Sequence, residues 1–165
     1  MLHWIPLSVA GRLAMMARPE GGDALAPSVD GLATGGVTSL VSLLSSEEVE
    51  ALQLTQEAAR CADQGLAFHR LPIGDFGVPS DEDSFWTLAE TLSTDLRAGA
   101  TVVIHCRAGI GRSSLLAAAV LIAGGRAAAE VFPAIAEARG VRVPETEAQR
   151  DWLLTSASRR GASSR

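Results

Sequence analysis

Apolar positions along the chain switch between period-two runs and three-to-four-residue spacing, and the switches mark the elements. Residues 3–7 and 11–17 read as two short strands, followed by a Pro- and Gly-rich loop, RPEGGDALAPS. Residues 36–44, GVTSLVSLL, are apolar and β-branched enough for a buried strand. Ser45 or Ser46 then caps a short acidic helix, SEEVEAL, whose carboxylates crowd the first turn as the helix dipole prefers. A helix over 55–64 and a strand over 66–71 follow, and 72–79, bounded by two prolines, must be loop. Phe85, Leu88, Ala89, Leu92 and Leu96 recur at helical spacing, which predicts an amphipathic helix over 81–96.

The run TVVIH, 101–105, has no polar alternation, the pattern of a strand covered on both faces. A glycine turn leads from it into a buried helix over 112–123, and two more helices are predicted over 127–138 and 146–158. Strands alternating with helices give an α/β fold with a central, mainly parallel sheet flanked by helices, in a single domain over 1–158. Residues 159–165 are expected to be a disordered tail. In such folds ligands bind at the carboxyl ends of the strands.

Composition narrows the function. At 165 residues and 47% hydrophobic, the chain can bury a core without staples. Its net charge of −5 argues against general affinity for nucleic acid or anionic membrane. Cys61 and Cys106 are the only cysteines, so a reduced, cytoplasmic protein is expected. The apolar start is interrupted by Pro6 and Arg12, and the longest apolar run, 115–123, is too short to span a bilayer.

Chemistry concentrates in HCRAGIGRSS, residues 105–114. Cys106 falls at the end of the predicted central strand, fixed by the sheet beneath it. Gly109 and Gly111 allow close approach of a ligand, and successive amides in such a turn converge as an anion nest. The next helix adds its positive end, and Arg112 can set a planar fork of donors against two phosphate oxygens. The backbone from Arg107 through Ala108, Gly109 and Ile110 to Gly111, with Arg112, is therefore the candidate phosphate cradle. The same field favours thiolate over thiol at Cys106, which is then placed to attack phosphorus. Ser113 is expected close enough to donate to that sulfur and help it leave. His105 is expected to face away and brace the loop.

His-Cys, five residues, Arg and Ser together resemble the signature of the cysteine-dependent protein tyrosine phosphatases, and the chain is similar to their compact dual-specificity members from about residue 37 to 154. The resemblance implies a tyrosine-phosphatase-like fold, a phosphocysteine intermediate and no metal or other cofactor. It also supplies the general acid that expulsion of an alkoxide or phenoxide demands. Asp75, in LPIGDFGVPS, stands where these relatives carry an Asp on a mobile loop. Gly74 and Gly77 would let that loop close, and Phe76 would anchor it. Gln149, in VPETEAQRDWLL, loosely matches a Gln that orients the hydrolytic water in relatives; an exposed helix Gln is the alternative.

No Tyr occurs, and no long recognition loop is visible, so a shallow pocket is expected. It would take phosphotyrosine and also phosphoserine or phosphothreonine on proteins. The alternatives are a nucleotide, RNA end, sugar phosphate or phosphoinositide, or a catalytically silent module that only holds phosphorylated partners. The lack of lysines in the cradle disfavours inositol lipids. A monomer is expected, with no nucleic-acid or membrane partner. A protective Cys61–Cys106 disulfide is conceivable, though a packed, helical Cys61 fits the pattern better.

Overall fold

Five strands, β1 (His3–Ile5), β2 (Arg12–Ala17), β3 (Ser39–Ser42), β4 (Ala67–Arg70) and β5 (Thr101–Cys106), form one sheet in the order β1-β2-β5-β3-β4. The structure is a computed structural model that describes residues 1–163. β1 lies antiparallel to β2, and the remaining pairings are parallel. Seven α-helices connect them among the described residues: α1 (Leu25–Thr34), α2 (Ser46–Ala51), α3 (Glu57–Asp63), α4 (Glu82–Arg97), α5 (Gly111–Ala123), α6 (Ala128–Arg139) and α7 (Glu147–Ser163).

Strand periodicity sorts the core into two layers. Leu13, Met15, Val41, Leu43, Val102 and Ile104 face one side, where they pack with Phe85, Leu92 and α5. Ala14, Met16, Leu40, Leu44 and Val103 face the other, against Val29 and Leu32 of α1 and Cys61 of α3. Both faces of β5 are covered, as its unbroken apolar run requires. α5 is buried from Gly111 to Leu121 and packs against α4, α6 and α7. Ala117, Ala118 and Ala119 keep it thin enough to be surrounded in this way. Each fully buried Leu, Ile or Val on these faces contributes about 1.5–3 kcal/mol relative to exposure.

Two expectations are corrected. The segment 18–28 is not all loop: a 3-10 turn at Gly22–Ala24 feeds α1, which begins at Leu25. Pro27 lies in its first turn, where a missing N–H costs no intrahelical bond, and Leu25, Val29 and Leu32 form its buried stripe. The end of the chain is also more ordered than its composition implies. α7 continues to Ser163, so 159–163 are helical; residues 164 and 165, the rest of the expected tail, lie outside the described residues. Arg159 pairs with Glu82 at 2.9 Å and Arg160 with Glu90 at 2.6 Å, tying the last turns of α7 to α4.

Cys61 is fully buried in the layer opposite Cys106, and both thiols are free. Burial, aided by the charge of Glu57, pushes the Cys61 thiol up to about 12, which makes it a packing group. The sheet therefore separates it from Cys106. No helix among the described residues is long and apolar enough to cross a membrane.

Candidate active site

β5 delivers Cys106 to the carboxyl edge of the sheet, 2% exposed and in register with Ala17 of β2. The chain then turns through residues 107–110 into α5. Three hydrogen bonds hold the turn from outside. Arg18 N donates to Arg107 O at 3.2 Å, while Arg139 of α6 donates through Nε to Gly109 O at 2.9 Å and through Nη2 to Ala108 O at 3.1 Å. A trans peptide points its N–H opposite to its C=O. Drawing those carbonyls outward thus turns the amides of Ala108, Gly109 and Ile110 inward. Gly109 N–H reaches Cys106 Sγ at 3.3 Å.

Gly109 is required at this point. Its φ of +69° is left-handed, and a Cβ there would collide with the backbone carbonyl of Met16. The N-cap residue of α5, Ile110, makes no side-chain cap hydrogen bond to the first turn.

Arg112, 1% exposed, gathers the site. Nη1 donates to Glu48 Oε2 at 2.6 Å and to Ile73 O at 2.9 Å; Nη2 donates to Glu48 Oε1 at 2.9 Å and to Asp75 Oδ1 at 3.0 Å. These four bonds use all four Nη hydrogens, leaving Nε for another acceptor. Burial opposes the charge of Arg112, but the hydrogen bonds to Glu48 and the charges of Cys106, Glu48 and Asp75 outweigh it and raise its pKa. Glu48 is held below the ordinary carboxylate range, chiefly by the hydrogen bond from Arg112.

Asp75 stands on the loop between β4 and α4 with its side chain 42% exposed, and it joins the cradle through Arg112. The loop is anchored by Ile73, which is buried and donates its N–H to Leu43 O at 3.0 Å. Phe76 does not anchor it as expected: it is 61% exposed with a φ of +56°. Gly77 N donates to Gly74 O at 2.8 Å, closing a tight turn around Asp75.

The supporting residues fall as follows. Ser113 Oγ is buried in the first turn of α5 and makes no hydrogen bond, so the expected bond to the Cys106 sulfur is not formed in this conformation. His105 points away from the cradle into the sheet's other layer. Its Nε2 lies 2.8 Å from Glu57 Oε1, and Nδ1 is 3.4 Å from Cys106 O. Gln149 is fully buried, which overturns the exposed-helix alternative. Its Nε2 donates to Gly77 O at 3.0 Å, and its Oε1 accepts from Thr146 N at 3.2 Å. In return Gln149 N donates to Thr146 Oγ1 at 3.1 Å, a reciprocal cap at the start of α7. Gln149 therefore ties the Asp75 loop to α7.

Four residues of the site escaped the sequence reading: Glu48, Glu57, Arg139 and Glu145. Glu48 carried a local signal, since Ser45 and Glu48 form a capping box in S-x-x-E spacing. That pattern explains a helix start and says nothing of Arg112, 64 positions away. Glu57, Arg139 and Glu145 had no signal beyond charge.

Comparison with known proteins places the chain in a family. A family model described as "Polymorphic toxin system, DSP-PTPase phosphatase" matches residues 14–126, from β2 to the turn after α5. Cyclin-dependent kinase inhibitor 3 of Rattus norvegicus is 43% identical over 58 residues, 35% of this chain and 27% of that protein. Its Mus musculus counterpart is 32% identical over 90 residues, 54% of this chain and 42% of that protein. The chain thus matches less than half the length of these curated relatives. Among solved structures, kinase associated phosphatase with its catalytic-site cysteine replaced by serine superposes with a TM-score of 0.81 at 21% identity, over 93% of this chain and 91% of that one. Tk-PTP in its active form gives 0.77 at 24%, over 96% and 97%, and PTPMT1 gives 0.76 at 21%, over 99% and 98%. These superpositions establish a tyrosine-phosphatase fold. With most of its length matched by the family model, the chain belongs to the DSP-PTPase phosphatases of polymorphic toxin systems.

Proposed function

We propose that the protein hydrolyses phosphomonoesters through a phosphocysteine intermediate, acting on phosphotyrosine and also on phosphoserine or phosphothreonine in proteins. One observation carries the proposal: Arg112 binds Asp75 directly while lying within electrostatic reach of Cys106 at the mouth of the amide turn. On this reading Cys106 is the nucleophile, Arg112 the anion clamp and Asp75 the acid.

A bound phosphoryl group would take the inward amides of the turn together with Arg112 Nε. It would also displace Asp75 from Nη2, giving Arg112 two donors for two phosphoryl oxygens. Released from that pair, Asp75 in its acid form gives its proton to the leaving oxygen. The sulfur of Cys106 forms the S–P bond as the P–O ester bond breaks. Water then attacks phosphorus, Asp75 takes the water's proton, and the S–P bond breaks to return the thiolate. Rotation of the unbonded Ser113 hydroxyl toward the sulfur would stabilise that leaving thiolate. Gln149, held against the Asp75 loop, positions that loop. The catalytic unit takes in residues 1–158, the last turns of α7 extending it.

The test is turnover of an aryl phosphate in the presence of a chelator, with Cys106→Ser as control. Activity in the wild type and none in the variant is expected; undiminished turnover by Cys106→Ser refutes the mechanism. Running phosphotyrosine and phosphothreonine peptides beside a nucleotide and a phosphoinositide decides the substrate class. Peptide binding without phosphate release would refute hydrolysis.

A further inference from the structure

Glu145 lies on the segment between α6 and α7 and has no part in the mechanism above. Its carboxyl group nevertheless hangs over the start of α5. A Cβ placed on Gly111 would collide with Glu145 Oε2 and come within 3.0 Å of its carboxyl carbon and 3.1 Å of Gln149 Nε2. The Gly111 amide, one of the uncapped amides of α5, draws on this carboxylate. Glu145 thus stands at the amide that a phosphoryl oxygen needs.

Resting on the hydrolase reading, we infer that Glu145 is a specificity-determining residue of the cradle, binding a phosphate dianion more tightly when its carboxyl group is neutral. In that form it donates a hydrogen bond to a phosphoryl oxygen; ionised, it competes with the phosphate for the Gly111 amide and repels it. Binding of the dianion is then coupled to uptake of one proton by Glu145.

The surroundings support such a proton. Partial burial of the carboxyl group and the charge of Asp75 raise the Glu145 pKa above its ordinary value, while Arg112 and the Gly111 amide pull it down. The charged groups around it are Asp75 on its loop and Arg112 on α5, with Cys106 and Glu48 acting on Arg112 in turn. On its own segment, Arg142 is engaged by Glu147. A dianion entering beside Asp75 and Glu145 adds further negative charge, which favours the neutral acid still more.

The experiment measures competitive inhibition by inorganic phosphate of aryl phosphate turnover from pH 5 to 8, in wild type and Glu145→Gln. Free phosphate titrates identically in both experiments, so the ratio of inhibition constants reports the carboxyl group at position 145 together with its coupling to Asp75 and Arg112. The ratio should be near one at the acid end and rise to about tenfold weaker binding in the wild type at pH 7.5, the scale of a one-unit coupling. Glu145→Ala should match Glu145→Gln above pH 7 and bind more weakly than wild type at pH 5, where the neutral acid donates. Calorimetry on the wild type alone should show proton uptake beyond that of phosphate itself. A ratio flat with pH, or weaker binding by Glu145→Gln throughout, overturns the inference while leaving the hydrolase reading intact. A wild type with no turnover of aryl phosphate fails the hydrolase reading itself.

Discussion

Replacing Glu48 with Gln tests how far the site depends on a carboxylate from α2, outside the signature turn. The pair is bidentate at 2.6 and 2.9 Å, with Arg112 1% and Glu48 12% exposed. Removing one partner of a buried ion pair costs about 3–5 kcal/mol, because the other charge stays buried. Here Gln keeps one acceptor oxygen, and Arg112 retains Ile73 O and Asp75. The loss should therefore settle near ~2 kcal/mol, or about 4–8 °C in Tm for a chain of this length. With the guanidinium free to shift by about 1 Å, kcat/KM should fall about 100-fold. Linkage sets the pH window. The Glu48 pKa is lowered from 4.5 in the fold, so its contribution is complete above that value and disappears as pH falls through the lowered one. Urea denaturation should show a constant gap between wild type and Glu48→Gln from pH 6 to 8, closing in acid below about pH 4. An unchanged midpoint with kcat/KM within twofold at neutral pH would refute the reasoning, as would a gap that persists in acid.

Three further outcomes follow from the geometry. Asp75→Asn removes the proton donor, so hydrolysis of an alkyl phosphate should slow by about 100- to 1000-fold. p-Nitrophenyl phosphate, whose leaving group needs little protonation, should lose far less; equal losses on both esters would mean that Asp75 is not the acid. Gly109→Ala forces a left-handed φ of +69° on Ala and drives its Cβ into the Met16 backbone, which cannot step aside. A loss of about 2 kcal/mol in stability, together with loss of activity, is expected from strain and displaced loop, and a variant with normal melting and turnover would show that the turn relaxes freely. Arg139→Ala should leave the fold intact but free the carbonyls of Ala108 and Gly109, lowering kcat/KM about tenfold; an unchanged phosphate inhibition constant would show that the amides are aimed without it.

The fold was legible wherever periodicity was clean. The unbroken TVVIH run became a strand covered on both faces, and the 3.6-spaced stripe ending at Leu96 became α4. α1 was hidden because its buried stripe, Leu25 to Val29 to Leu32, is interrupted by Pro27, Ser28 and Gly31, residues whose local preference is for turns. Tertiary burial against Met16 and Leu40 outweighs that preference. The end of α7 was hidden for the same reason: SRRGAS has weak helix propensity, and the pairs of Arg159 and Arg160 with α4 cannot be read from one segment.

The site divides along the same physical line. Cys106, the cradle backbone and Arg112 are consecutive, so their chemistry is set by one strand end and one helix start, and a motif can carry it whole. What aims and charges the cradle comes from elsewhere: Arg139 pulls its carbonyls outward from α6, Glu48 holds Arg112 from α2, and Gln149 holds the Asp75 loop from α7. Arg139 is one polar residue among many on its helix, the S-x-x-E spacing of Glu48 signals a helix start and not a partner for Arg112, and Gln149 gives no sign of reaching Gly77. Glu145 shows the consequence most sharply. In sequence it is one acid among 19 acidic residues, yet the fold sets its carboxyl group against Gly111 at the start of α5, where a Cβ would collide with it. The turn proposed to hold phosphate is therefore flanked by the carboxyl groups of Asp75, Glu48 and Glu145 as well as by Arg112. On the inference drawn above, its affinity for a dianion depends on whether Glu145 is neutral, and that balance is a property of the assembled fold that no contiguous stretch of the chain contains.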